Sequence, residues 1–264
     1  MRIAVYPFKS TGTIEENLRT IQTAVQLAAM QQVRLLVFHE CALCGYPPVE
    51  SSIEAISPQT IANGFVAISD LARKYQLYLA VGTVRFEKER RYDSIVLFDD
   101  TGKQIGCYDK TALWGWDLDH FERGNRLGIF EIDGFKMGFR ICYDIRFPEL
   151  FRNLYREQVQ LCFVSFSDTA NLPNPERYEI IKSHLRTRAS ENLMTVVSVN
   201  SLSRYPTAPT AVFDPDGRVV KEVPDSEELL IYDYERPEPT FSMRGRSVNS
   251  DFFCRKCIPK VEPV

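Results

Sequence analysis

Thr13-Ile14-Glu15-Glu16 begins the stretch whose reading decides the fold, and Val33-Arg34-Leu35-Leu36-Val37-Phe38-His39-Glu40 ends it. The first four residues have the spacing of a reciprocal N-terminal helix cap. Ile14, Leu18, Ile21, Val25 and Ala28 then recur at intervals of three and four, which predicts an amphipathic helix. Val33 to Phe38 is a short apolar, partly β-branched run, read as a buried strand that stops at His39-Glu40. The chain therefore opens as strand, helix, strand. Outward from there, Ile61, Phe65, Ile68 and Leu71 mark a second helix and Leu77 to Val84 a further strand, without a Pro/Gly-rich linker between them.

The middle of the chain changes character. Ser94 to Phe98, the turn Asp99-Asp100-Thr101-Gly102 and Lys103 to Tyr108 predict a hairpin, and Phe130 to Ile132, Asp133-Gly134 and Lys136 to Cys142 predict a second. A helix from about Pro148, the strand Leu161 to Ser165, a long helix up to Glu191 and the strand Thr195 to Asn200 restore the α/β rhythm. Asp214-Pro215-Asp216-Gly217 turns a third hairpin. Many strands with about four substantial helices predict sheets with helices packed outside them, in one domain over residues 1–264 with a C-terminal tail from about 236.

Composition narrows the class. Of 264 residues, 44% are hydrophobic and 25% charged, which excludes a disordered, collagen-like or coiled-coil chain. The net charge of -3, with no dense basic run, argues against a nucleic-acid partner. The N-terminus lacks the apolar core of a signal peptide and no stretch has the length of a membrane span, so a cytoplasmic protein with no membrane partner is expected.

Seven cysteines, at 41, 44, 107, 142, 162, 254 and 257, are an odd number, and without an export signal they are expected to be mostly reduced. Cys41/Cys44 and Cys254/Cys257 have C-x-x-C spacing and offer a four-sulfur zinc set, the basis of an alternative reading as a zinc-stabilised interaction module. The pairs lie at opposite ends of the chain, whereas zinc ribbons keep their knuckles close, so coincidental thiols and no metal are the expectation.

Three polar residues sit where strands stop: Glu40 after Leu35 to Phe38, Lys110 after Ile105 to Tyr108, and Cys142 after Met137 to Ile141. Strand ends are where open α/β sheets place their sites. Each has an ordinary reading taken alone, as a solvated charge or a small core thiol. Together they form an acyl-transfer set: the carboxylate takes the thiol proton and the ammonium stabilises developing negative charge.

The surrounding segments carry a resemblance. Phe38-His39-Glu40 with Gly45-Tyr46-Pro47-Pro48, Tyr108-Asp109-Lys110, and Gly138-Phe139-Arg140-Ile141-Cys142-Tyr143-Asp144-Ile145-Arg146-Phe147-Pro148-Glu149-Leu150 resemble the carbon-nitrogen hydrolase, or nitrilase, superfamily. Arg188-Ala189-Ser190-Glu191-Asn192 and the turn at Asp214 to Gly217 fall in the same order, so the likeness spans nearly the whole chain. It implies an α/β fold, a four-layer αββα sandwich of two mixed sheets with outer helices. It also implies a Glu40, Lys110, Cys142 triad as base, oxyanion stabiliser and nucleophile, no cofactor, and a homodimer or higher homo-oligomer. The Cys-Tyr-Asp-x-Arg-Phe-Pro-Glu pattern looks more like amidases acting on small carboxyamides or carbamoyl compounds than like nitrile hydrolases.

The chain departs from the family pattern in places. His39 stands where Pro commonly precedes the base, Asp117 where a second Glu is usual, and Ala208-Pro209-Thr210 where Gly-x-Ser is frequent. These departures motivate the rival reading of a binding or regulatory protein that keeps the sandwich without its catalysis. Asp117 is assigned to substrate positioning by its spacing from Phe121, with Asp119 and Glu122 as rivals. The Tyr143 backbone N–H is assigned to the oxyanion, and Ser167 to a pocket wall after the strand Leu161 to Phe166. Arg146 is a fork for a substrate carboxylate or a partner of Asp144 or Glu149. Trp114 and Trp116 line a pocket mouth or pack a loop.

Overall fold

The computed structural model describes residues 1–256. Strand β1 (Arg2–Tyr6) leads into helix α1 (Ile14–Met30), β2 (Leu35–Phe38), α2 (Pro58–Tyr75) and β3 (Tyr78–Glu87). The antiparallel strands β4 (Arg90–Phe98) and β5 (Gln104–Asp109) and the single-turn helix α3 (Asp117–His120) follow. Then come β6 (Ile129–Ile132), β7 (Phe135–Ile141), α4 (Pro148–Arg156), β8 (Leu161–Phe166) and the two-residue strand β9 (Thr169–Ala170). Helix α5 (Pro175–Asn192), β10 (Thr195–Asn200), β11 (Tyr205–Pro206), β12 (Thr210–Phe213), β13 (Val219–Val223), β14 (Leu230–Asp233) and α6 (Phe241–Lys256) complete the order.

Two six-stranded sheets result, ordered β14-β1-β2-β3-β4-β5 and β13-β12-β10-β8-β7-β6. Both are mixed, with a parallel centre (β1-β2-β3 and β7-β8-β10) and antiparallel flanks. Alternation along the central strands explains the layers. Ile3, Val5, Leu35 and Val37 of one sheet meet Phe139, Ile141, Phe163 and Val197 of the other in the middle of the molecule. Ala4, Leu36 and Phe38 point outward onto Ile21, Val25, Ile61 and Ile68 of α1 and α2. Cys162, Val164 and Val196 face Leu154, Ile181 and Leu185 of α4 and α5 in the same way. The fold is therefore the αββα sandwich, and both faces of each central strand are dry, which is why these strands read as continuous apolar runs.

The long helices and central strands fall where the sequence places them, and three features of how they are joined and tied differ. Thr13 is the N-cap of α1 but its side chain makes no capping bond; Asn17 instead accepts from the Thr11 N–H at 2.8 Å and donates to the Leu43 carbonyl at 3.1 Å, tying the helix to the turn after β2. A hairpin joins β3 to β4 that the sequence did not announce, because its turn places Lys88 at φ 57° where a Gly or Asn is the usual signal. Within the C-terminal segment from about 236, Phe241–Lys256 forms α6. Arg246 on α6 donates to the carbonyls of Ser190 and Pro215 at 2.5 and 2.8 Å and pairs with Asp216, docking the helix on α5 and the β12–β13 turn.

Gly82 on β3 positions the functional end of the sandwich. A Cβ there would stand 2.1 Å from the His39 carbonyl oxygen and 2.7 Å from the Cys41 nitrogen. Only a residue without a side chain lets the turn carrying Glu40 fold back against the strand. Because the obstacle is backbone, Gly82→Ala is expected to destabilise the protein by about 1–3 kcal/mol. Thermal unfolding should show a drop of about 2–4 °C for each kcal/mol.

Candidate active site

Three loop segments converge at one end of the sandwich. Glu40 follows β2 in a turn that Cys41 closes at φ 51°. Lys110 follows β5, its N–H bonded to the Asp93 carbonyl at 2.8 Å and its carbonyl accepting from the Gly124 N–H at 2.9 Å. Cys142 begins a one-turn 3-10 segment, Cys142–Arg146, directly after β7, with φ at 41°. A residue with a side chain in that region is strained by about 1–3 kcal/mol and persists only where its surroundings hold it. Asp144 supplies the restraint: its carboxylate accepts from Ile141 N–H at 2.9 Å, Ala112 N–H at 2.8 Å and the Tyr108 hydroxyl at 2.7 Å.

At the meeting point, the Lys110 ammonium, 1% exposed, donates to three carboxyl groups. Glu40 Oε1 lies at 2.6 Å, Asp117 Oδ2 at 2.8 Å and Asp93 Oδ2 at 3.1 Å. The second Glu40 oxygen accepts from the Ser167 N–H at 2.6 Å. Asp117 accepts from the Tyr46 hydroxyl at 2.7 Å and the Trp114 N–H at 3.1 Å. Each carboxyl oxygen of Glu40 and Asp117 thus has a donor, the condition for keeping a charge inside a protein.

Electrostatics link the thiol to this cluster. Burial pushes the Cys142 thiol up, Glu40 adds to the effect, and Lys110 opposes it, with a raised value as the net result. The resting sulfur is therefore a thiol that needs a base. For Lys110, burial works against the charged form, but Glu40, Asp93 and Asp117 outweigh it and hold the ammonium well above its usual range. Burial pushes His39 down to about 4, so the ring beside Glu40 is neutral; it packs on Phe8 with centroids 4.6 Å apart.

The family model of the carbon-nitrogen hydrolases matches residues 2–238. The chain belongs to that family. A hydrolase of Pseudomonas protegens, from the pqqF 5′ region, is 30% identical over 251 residues, covering 89% of this chain and 83% of that protein. The 2-oxoglutaramate amidase of Bacillus subtilis is 28% identical over 220 residues, covering 81% and 82%. Among solved structures, an amidase from Nesterenkonia sp. AN1, seen with acrylamide added at its active-site cysteine, superposes with a TM-score of 0.81 at 22% identity over 96% of this chain and 98% of that one.

Around the centre of this carbon-nitrogen hydrolase, the remaining sequence-assigned residues divide. Asp117 joins the cluster, while its rivals Asp119 and Glu122 are exposed. Ser167 reaches Glu40 through its backbone; its hydroxyl is buried and has no partner among the described residues. Arg146 lies over the Tyr143 ring at 5.8 Å. Asp144 is engaged by Tyr108 and two backbone N–H groups, and among the described residues Arg146 forms an ion pair with neither Asp144 nor Glu149. Trp116 stacks on His120 at 3.7 Å and packs the loop, whereas Trp114 is exposed and offers its backbone N–H to Asp117.

Sequence reading missed Asp93 and the role of Tyr46. The sequence pattern starts this strand at Ser94, whereas β4 begins at Arg90 and takes in Asp93. A charged residue inside a strand whose neighbours are buried was the available signal. Cys41 and Cys44 are both buried, with the Cys44 sulfur accepting from the Val84 N–H at 3.4 Å. Cys257, the fourth member of the zinc set, lies outside the described residues.

Proposed function

We propose that the protein is a thiol-dependent amidase that hydrolyses a small linear amide or carbamoyl compound, with Glu40, Lys110 and Cys142 as its catalytic residues. The observation that carries this reading is the Lys110 ammonium, buried and bonded at 2.6 Å to Glu40, beside a thiol held on a strained turn. The relatives named as amidases, including an omega-amidase of Saccharomyces cerevisiae, 25% identical over 249 residues, 86% of this chain and 84% of that protein, support the same substrate class.

Glu40 takes the Cys142 proton as sulfur attacks the amide carbon, forming the C–S bond while the carbonyl electron pair moves to oxygen. Lys110 and the Tyr143 backbone N–H face that oxygen. Protonation of Glu40 weakens its hold on the ammonium, which frees positive charge for the oxyanion at the moment it forms. Collapse breaks the C–N bond, Glu40 returns the proton to the departing nitrogen, and ammonia or an amine leaves a thioester. Glu40 then activates water, which attacks the thioester and releases acid and thiol. Asp117 orients the substrate nitrogen, Ser167 walls the pocket, and the Arg146 guanidinium takes a substrate carboxylate.

Residues 1–264 act as one hydrolase domain, in keeping with the length of the family match. The thiols at Cys41, Cys44, Cys107, Cys142, Cys162 and Cys254 are unpaired among the described residues, which supports a reducing, cytoplasmic setting. Phe241, Val248 and Phe253 on α6 are exposed, which supports assembly as a homodimer or higher homo-oligomer. No helix among the described residues is long and apolar enough to cross a membrane. The test of the function is ammonia release from a panel of small amides, including ω-amides of dicarboxylic acids and carbamoyl compounds. Release that stops when the thiol is alkylated is expected. Silence across the panel, with Cys142 still alkylable, would move the protein to the binding class.

A further inference from the structure

The Lys110 cluster contains one carboxyl more than the chemistry above employs. Asp93 lies on β4, fully buried, 3.1 Å from the ammonium through Oδ2. The groups facing it are Glu40 and Cys41 from the turn after β2, Lys110 from the end of β5 and Asp117 from α3. Three carboxylates around one ammonium would leave two uncompensated negative charges at sites no more than 1% exposed. Carboxyl groups that share such a site cannot all ionise, so at least one keeps its proton.

Donor counting says which. Glu40 has a donor on each oxygen, and Asp117 has one on Oδ1 and two on Oδ2. Asp93 has the longest of the three lysine contacts and, on Oδ1, only the weak Cys41 thiol at 3.7 Å among the described residues. A charge at Asp93 is the least compensated of the three. Burial is the largest influence and pushes the Asp93 carboxyl up; Lys110 opposes it, while contact with Glu40 and the charge of Asp117 add to it.

We propose that Asp93 is a positioning residue of the site: it keeps its proton at neutral pH and donates it as a hydrogen bond to the Glu40 carboxylate. The role rests on Glu40 being the base. A neutral acid at this point orients the Glu40 oxygen toward the thiol without adding a second anion to compete for Lys110. The proton rests on Asp93 because that carboxyl has the fewest and longest donor contacts of the three.

Infrared spectroscopy tests the proton directly, without substrate. The difference spectrum of wild type minus Asp93→Asn at neutral pH should contain the carbonyl stretch of a protonated carboxylic acid, shifted in deuterated water. Its absence overturns the proposal. Kinetics test the role: Asp93→Asn, which retains a neutral donor, should keep kcat within about three-fold of wild type. Asp93→Leu, which has none, should lower kcat by about ten- to a hundred-fold with KM nearly unchanged. An Asn variant as impaired as the Leu variant shows that the charge is needed and overturns the proposal. Should the Leu variant not fold, the infrared band and the Asn variant decide. Wild-type protein with the band but no amidase activity supports the proton assignment while removing the amidase reading, so the two fail separately.

Discussion

Cys142→Ala lowers turnover by about 10⁴-fold or more while the protein stays folded. The size follows from the role, because no other described thiol shares the setting of Cys142. Cys41, Cys44, Cys107 and Cys162 are buried, whereas Cys142 is half-buried on a strained turn within reach of the Glu40 and Lys110 charges. Truncation to Ala keeps the same backbone requirement at φ 41° and leaves no buried charge unpaired. The melting temperature should therefore change little. Ammonia release measures the loss, and mass spectrometry of wild-type enzyme mixed with substrate should find the acyl adduct on Cys142. An adduct on Cys41 or Cys44 with Cys142 unmodified would falsify the assignment. Cys254→Ser, in contrast, should be nearly silent.

Lys110→Met is expected to fail twice, in stability and in catalysis. The ammonium stands between Glu40, Asp93 and Asp117, and removing it strands buried carboxyl groups against one another. Breaking a buried pair from one side costs about 3–5 kcal/mol. Lys110→Arg separates the two effects. It restores the charge, and with it part of the stability, but a planar guanidinium cannot aim donors at three carboxyls arranged around a single nitrogen and also face an oxyanion. Loss of one oxyanion donor lowers kcat by about 10²–10³-fold. Denaturant melts of both variants, read beside kcat, should show Arg nearer to wild type in stability and close to Met in turnover. Wild-type turnover in the Arg variant would place Lys110 outside the chemistry.

The central elements were legible because their periodicity has a direct physical cause. Strands dry on both faces must be apolar throughout, so Leu35–Phe38, Leu161–Phe166 and Thr195–Asn200 announce themselves. The hairpins at Asp99 and Asp214 carried Asp and Gly in their turns. The β3–β4 hairpin did not, and its true length stayed hidden with Lys88 in the turn. Strand β14 escaped for a different reason: Leu230–Asp233 pairs with β1, more than 200 residues away, and no local pattern encodes a partner at that distance.

By itself the sequence determined which groups end the strands: the carboxylate at 40, the ammonium at 110 and the thiol at 142, each following an apolar run that the core requires. The hold on the Cys142 turn came with folding, because Asp144 accepts not only from the neighbouring Ile141 N–H but also from the Tyr108 hydroxyl and the Ala112 N–H of another segment. Only the tertiary structure decided what surrounds the ammonium. Glu40, Asp93 and Asp117 come from three separate segments, and whether a carboxyl meets Lys110 depends on sheet register and on the close approach that Gly82 permits. Strand periodicity is written in neighbouring residues. The protonation state of a buried cluster is a sum over charges that the chain brings together only by folding.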